Sequence, residues 1–374
     1  MRPLHLILRV MSVGTLFYFM TGSHLSSTTS ASTLKWERWP DLPDPVGLKG
    51  MYAGVHHGHL LLAGGSNFPV PRAQGGQKTF ARVLFSRPVA MGVEGSWCVF
   101  ENALPVALAE GASVTTEHGV VGLGGAGAVG AVSSAFVLSW KNGEPGPCQK
   151  LPNLPEPSAT PAAVYWRGHV YVAGGENRGV GQARFLRLDL AAALARPDHV
   201  TWEELPTWPG PARFGAVFAV LSVDGRDQFL LAGGRTKTTG PASQADYLAD
   251  AHAFDPVARR WTTLAAMPHR ALLATALRLD ENRLAVMGGS DGHSLDRMAE
   301  LGERYRIPDR IMIYDSRREA WHVDDGVMPV GVVGAAVAEL ERGWLVAGGE
   351  YSPSLRTAQV FHWELTGRMT KAAR

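Results

Sequence analysis

Cysteine is scarce in this chain: Cys98 and Cys148 are the only two in 374 residues. Outside any Cys-x-x-Cys spacing they exclude a zinc cage of four thiolates and allow one disulfide at most, and nothing in the sequence places them together. Charge is scarce too, at 19% of residues against a usual value of about 25%. No three Lys or Arg residues adjoin, and 36 basic residues against 34 acidic leave a formal charge of +2. The chain therefore gives no electrostatic reason to expect nucleic acid as a partner, and an anionic ligand must be met locally. Heptads, a Gly-x-Ser-x-Gly elbow and a phosphate-binding loop are missing, which excludes a coiled coil and argues against a serine hydrolase or a nucleotide hydrolase. Hydrophobic residues at 45%, with no long polar tract, argue against a disordered or low-complexity scaffold.

The N-terminal apolar run, residues 10–20, is shorter than the roughly 20 residues of a membrane span. Arg2, His5 and Arg9 precede it, and the Ser/Thr-rich stretch 22–33 follows. That order is a secretory leader's, so residues 1–33 are expected to be a signal peptide and leader, with export to the periplasm in a Gram-negative cell. A clean Ala-x-Ala site is lacking, and a retained N-terminal anchor is the alternative.

Glycine and proline are plentiful, 43 and 24 residues, against usual shares of about 7% and 5%, which favours short strands and many turns. Six apolar stretches end in a Gly-Gly pair: 60–65, 120–125, 170–175, 229–234, 284–289 and 344–349. A hairpin precedes each pair, as at Arg167-Gly168. A third apolar stretch follows it, as at 251–254. A fourth carries a Trp and runs into Leu-Pro or Met-Pro, as at Trp202, Trp261 and Trp321. Each repeat reads as a four-stranded antiparallel unit, with the Gly pair for close backbone approach and the Trp for packing on a neighbour. After the last Gly-Gly a third strand follows at 357–365, but the tail 366–374 supplies no fourth. The segment 36–43 has the missing Trp and Leu-Pro. An N-terminal strand that completes the sixth unit would close a ring and leave no sheet edge at the seam.

With strands a to d counted from the centre, the b–c loops and d–a connections emerge on one face. The b–c loops are the long, varied ones, notably 235–250 and 290–309, so function is expected there. The segment 295–306 reads as a helical insertion or a solvated flap. In the sixth unit's b–c loop Glu350 follows the Gly-Gly directly, and Arg356 lies beyond Pro353. A carboxylate and a guanidinium at the mouth of a central channel make a proton-transfer group and an anion clamp; the alternative is a solvated ion pair that only shapes the loop. Arg213 enters a strand on the same face, and either meets an anion or satisfies backbone carbonyls within the fold. Asn67 either donates to a ligand or caps its own tight loop. The first unit's loop is basic and contains Gln77-Lys78. On the opposite face His56, His57 and His59 flank a turn with no nearby acid to complete a metal-ligand set.

Repeats with Gly-Gly and a spaced Trp resemble kelch repeats, the blades of a β-propeller. The loop 348–357, Gly-Gly-Glu-Tyr-Ser-Pro-Ser-Leu-Arg-Thr, resembles the Gly-Glu-x-x-Pro-x-Leu-Arg-Thr loop of the kelch-propeller sialic acid mutarotases, the N-acetylneuraminate epimerases. The first unit's Ala-Gly-Gly-Ser-Asn-Phe-Pro, with Gly75-Gly76 downstream, is similar to the opening motif of their cyclically permuted branch. The resemblance spans about residues 34–365 and implies an all-β fold, a six-bladed kelch propeller whose last blade the N-terminal strand completes. It implies an isomerase that interconverts the anomers of sialic acid with no cofactor and no metal. Glu350 is then the acid/base, Arg356 the partner of the substrate carboxylate, and Arg213 and Asn67 further substrate contacts. It allows a homodimer. The alternatives are a non-catalytic propeller that binds a protein or glycan, and a mutarotase of another acidic sugar.

Overall fold

The computed structural model describes residues 34–236 and 244–365. The leader expected over 1–33 and the tail 366–374 lie outside the described residues. Among the described residues no helix is long and apolar enough to cross a membrane.

Six four-stranded antiparallel sheets follow one another along the chain. Blade 1 comprises Tyr52–His56, His59–Ala63, Leu84–Pro88 and Cys98–Phe100. Blades 2 to 5 occupy 112–151, 162–204, 217–264 and 275–327. Blade 6 takes Ala336–Glu339, Trp344–Ala347 and Val360–Leu365 from the end of the chain, and its outer strand, Leu34–Trp39, from the beginning. Leu34 pairs with Leu365 and Trp39 with Val360 in continuous antiparallel register, so the ring closes through hydrogen bonds between the ends of the chain. The turn between the inner strands of blade 3 carries Arg167 at φ 46° and Gly168 at φ 79°. Two positive φ values in a two-residue hairpin turn match the twist of the flanking strands.

The core is distributed as six clusters, one between each pair of adjacent blades. Leu60, Leu62 and Phe85 of blade 1 pack on Leu345 and Val360 of blade 6, for example, and on the other side Leu61 and Leu84 pack on Val120 and Phe136 of blade 2. The outer-strand tryptophans join neighbours as well as fill space. The indole N–H groups of Trp202, Trp261 and Trp321 donate to Pro152 O at 3.0 Å, Pro206 O at 2.7 Å and Ala265 O at 3.0 Å. In each case the acceptor ends the outer strand of the preceding blade. Trp97 does the same across the seam, to Pro40 O at 3.1 Å.

Two closed belts of backbone hydrogen bonds run around the propeller on the b–c loop face. In the first, the second glycine of each pair donates to the next blade: Gly65 to Leu108, Gly125 to Ser158, Gly175 to Arg213, Gly234 to Ala271, Gly289 to Val332 and Gly349 to Leu48, all at 2.7 to 2.9 Å. In the second, one residue from each d–a connection donates to its counterpart in the preceding blade. Glu110 donates to Gly50, Thr160 to Glu110, Gly215 to Thr160, Leu273 to Gly215, Gly334 to Leu273 and Gly50 to Gly334. Six residues bonded in a cycle, one per blade, must encircle the axis. All six have positive φ, from 46° to 71°. Gly50, Gly215 and Gly334 meet this without strain, whereas Glu110, Thr160 and Leu273 hold a left-handed backbone that costs a side-chain-bearing residue about 1 kcal/mol or more.

The first belt explains the glycine pairs. A Cβ on Gly124 would stand 2.2 Å from Ser158 O of the next blade, with φ at +60°. Gly124→Ala is expected to lower stability by about 1–3 kcal/mol through overlap and backbone strain together. Denaturant unfolding checks this, and an unchanged midpoint would count against the belt as the reason for the pair.

Short two-stranded ribbons, not expected from the sequence, extend four of the b–c loops above the blades, including Ser66–Asn67 with Thr79–Phe80 and Glu350–Ser352 with Leu355–Arg356. The segment 295–306 is helical in short pieces: a 3-10 turn Leu295–Arg297, an α-turn Met298–Leu301 and a second 3-10 turn Gly302–Arg304. Both cysteines are free, and burial pushes the Cys148 thiol up to about 11.

Candidate functional site

Glu350 and Arg356 face each other across the ribbon of blade 6, joined in register and turned through Pro353 and Ser354, the latter at φ 65°. Arg356 Nη1 donates to Glu350 Oε2 at 2.5 Å. The arginine side chain is only 3% exposed and the glutamate 17%, so this is not the solvated loop pair that was the alternative. The guanidinium lies over the Phe68 ring, 5.3 Å from its centroid, and its Nε points at Ser66 O at 3.4 Å. The opening loop of blade 1 is thereby packed against the Glu350 loop.

Beside Glu350, and immediately before the belt residue Gly50, stands Lys49. Its Nζ lies 3.4 Å from Glu350 Oε2 and 3.8 Å from Glu110 Oε1. Lys78, from the basic loop of blade 1, reaches Glu110 at 2.9 Å. Burial works to raise the Glu110 carboxyl, but Lys49, Lys78 and Arg356 outweigh it and hold it below the usual carboxylate range. Burial disfavours the Arg356 charge, which Glu350 and Glu110 partly restore. The cluster holds three cations against two carboxylates. One positive charge is left over, and a single substrate carboxylate would balance it.

The adjoining part of the mouth is apolar. Val333, next to the belt residue Gly334, packs with Tyr305 and Ile307 of the blade 5 insertion and with Leu273 and Leu301. This is what the loop 290–309 contributes: a wall of hydrocarbon and one phenol beside Glu350.

Two of the expected site residues are placed differently. Arg213 has no exposed surface. Its two terminal nitrogens bind Asp250 at 3.0 and 2.5 Å and Nη1 also donates to Gly233 O at 3.1 Å, so its fork is fully used inside the wall between blades 3 and 4. It braces the fold and does not reach Glu350. Asn67 is buried, donates to Asp44 Oδ2 at 3.1 Å and accepts from Thr79 Oγ1 at 2.8 Å. With both ends of its amide occupied, it shapes the loop under Arg356. The residues that sequence reasoning missed are Lys49 and Glu110. Aligning the six d–a connections exposes them, since Lys49-Gly50, Ala109-Glu110, Ala159-Thr160, Phe214-Gly215, Leu272-Leu273 and Val333-Gly334 carry a charge in blades 1 and 2 alone.

A cleft of about 480 Å³ opens on the same face between blades 4 and 5, lined by Tyr247, Asp250, His269, Arg270 and Asp291 among others. Its carboxylates are already engaged, Asp250 by Arg213 and His252 and Asp291 by His293 and Arg310. Glu350 is not in its lining. On the far face His56 and His57 bond to the backbone of Trp140 at 2.9 Å, and His59 stacks on its ring, so the three do not converge on one point.

No protein-family model matches the chain. Curated relatives named N-acetylneuraminate epimerase are similar to part of it. That of Yersinia pestis (strain Pestoides F) is 28% identical over 193 residues, which covers 45% of this chain and 48% of the relative. That of Yersinia enterocolitica serotype O:8 is 25% identical over 259 residues, covering 63% and 62%. The chain thus spans about half the length of the first of these relatives. The solved structure of YjhT shares the fold, with a TM-score of 0.63 at 14% identity over 86% of this chain and 96% of that one. The two Yersinia relatives carry the name of the family whose loop the segment 348–357 resembles.

Proposed function

We propose that this chain, similar in sequence to the N-acetylneuraminate epimerases, is a sialic acid mutarotase. The observation that carries the reading is the buried Glu350–Arg356 pair in a mouth with one positive charge in excess. Anomer exchange needs a proton to leave the anomeric hydroxyl, the ring C–O bond to open, and the ring oxygen to take a proton before it attacks the other face of the ketone. Glu350 moves the proton from one oxygen to the other, and general acid–base assistance of this kind contributes about 10²- to 10⁴-fold. Arg356 turns from Glu350 to the substrate carboxylate, with Lys49 free to hold the glutamate meanwhile. The cyclic permutation of the blades, export to the periplasm and a homodimer belong to the same proposal.

Arg356→Lys keeps the charge and loses the planar fork. It should weaken binding of N-acetylneuraminic acid about tenfold and leave a neutral analogue unaffected, as measured by calorimetry. A panel of acidic and neutral sugars, with binding and mutarotation scored separately, tests the reading as a whole. Binding without mutarotation would favour a non-catalytic propeller, and turnover of a different acid alone would move the substrate.

A further inference from the structure

We propose that Glu110 is a second acid–base carboxylate of this mouth, serving the face of the anomeric carbon that Glu350 does not. The proposal rests on the mutarotase reading above.

Three observations carry it. Glu110 occupies a belt position at φ 61°, a backbone conformation that glycine takes at three of the six equivalent places. Thr160 and Leu273 hold the same conformation, so the backbone alone does not single Glu110 out; it is the one belt residue of the six that carries a charge. Next, the belt glycines beside it make room for charged stems. A Cβ on Gly50 would stand 2.9 Å from Glu110 Cγ, and one on Gly334 would stand 3.0 Å from Lys49 Cε. The two side chains therefore run over the belt, where substrate must sit. Lastly, Lys49 lies between the two carboxylates, 3.4 Å from Glu350 and 3.8 Å from Glu110, and each carboxylate side chain keeps 17% of its surface exposed. Glu350 belongs to blade 6 and Glu110 to blade 2, so they flank the lysine of blade 1 from its two sides.

The α and β anomers present their anomeric hydroxyl on opposite faces of the same carbon, so one base in one place is badly aimed for one of them. With two carboxylates the protons balance without a further reactant. Glu350 takes the proton of the anomeric hydroxyl and gives it to the ring oxygen as the C–O bond breaks and the ketone forms. After the open chain turns, Glu110 takes the proton from that former ring oxygen as it attacks the opposite face, and returns it to the new anomeric oxygen. Each carboxylate ends the cycle as it began. Lys49 is a positioning residue that bridges the two.

Glu110→Gln tests this, with mutarotation of N-acetylneuraminic acid followed by NMR between pH 5 and 8 and sugar affinity measured separately. The expected result is a fall in turnover of about 10²-fold, equal in both directions as the fixed equilibrium requires, with affinity within about threefold of wild type. Glu110→Asp keeps the charge and shortens the reach, and should lose less turnover at an unchanged melting temperature, which covers the case in which the glutamine variant fails to fold. Wild-type turnover in Glu110→Gln, or a loss that merely follows lost affinity, overturns the second carboxylate and leaves the mutarotase reading standing. Absence of catalysis by the wild-type protein removes that reading and the proposal with it.

Discussion

Glu350→Gln is expected to lower catalysed mutarotation by about 10²-fold or more at saturating sugar, with affinity for the sugar largely kept. The substitution preserves shape and leaves an oxygen to accept from Arg356 Nη1, which in the unliganded protein lies 2.5 Å from the carboxylate. It removes the capacity to take and return a proton together with the negative charge opposite Arg356 and Lys49, so some loss of stability accompanies it on either account. The competing account, in which Glu350 and Arg356 merely shape the ribbon, predicts something else: Glu350→Gln and Arg356→Lys would then lower the melting temperature together and change activity by similar small factors. Steady-state rates of the two variants, set beside sugar affinity and thermal melting, separate the accounts.

A comparably large effect is expected on stability from Asp250→Asn. Arg213 is fully buried, and the Asp250 carboxylate that holds both ends of its fork is its counter-charge. Removing that carboxylate leaves the buried guanidinium uncompensated, and because Asp250 itself is 32% exposed the loss is expected at or below the lower end of the roughly 3–5 kcal/mol of a fully buried pair. The pair also sets an acid limit. Burial acts to raise the Asp250 carboxyl, but His252 and Arg213 bring it down to about 2. A carboxyl held lower in the folded than in the unfolded chain stabilises fully above its ordinary value near 3.9, and that contribution is lost as pH falls toward 2. Denaturant unfolding from pH 5 to pH 2 should therefore show a loss for wild type that is smaller in Asp250→Asn. Equal stability of the two proteins at neutral pH would contradict the structural role given to Arg213.

Much of the fold is legible because its demands fall on a few residue types at fixed places. Each Gly-Gly marks a backbone approach that a Cβ would obstruct, each outer-strand Trp marks a contact with the preceding blade, and Trp36 and Trp39 betray a strand with no partner of its own near the N-terminus. Glu350 and Arg356 stand out in the sequence because they occupy fixed places in one short loop, directly after a Gly-Gly and beyond Pro353, although the ribbon that sets them opposite each other does not. Arg213 is not legible, because its partner is Asp250, 37 residues further on, and no local pattern distinguishes an arginine that braces a wall from one that binds an anion. Asn67 is decided in the same way by Asp44, 23 residues earlier. Lys49 and Glu110 escape notice because the d–a connections have neither strand alternation nor turn signals. Their role emerges only once the belt shows that six such residues surround one axis.

The central claim is catalysis of anomer exchange, and the most direct measurement is the NMR time course of freshly released α-N-acetylneuraminic acid with and without the protein at neutral pH. The account predicts that the α signal decays to the equilibrium ratio faster in proportion to protein concentration, and that Glu350→Gln abolishes most of the acceleration. Identical decay with and without wild-type protein from pH 5 to pH 8 would contradict it.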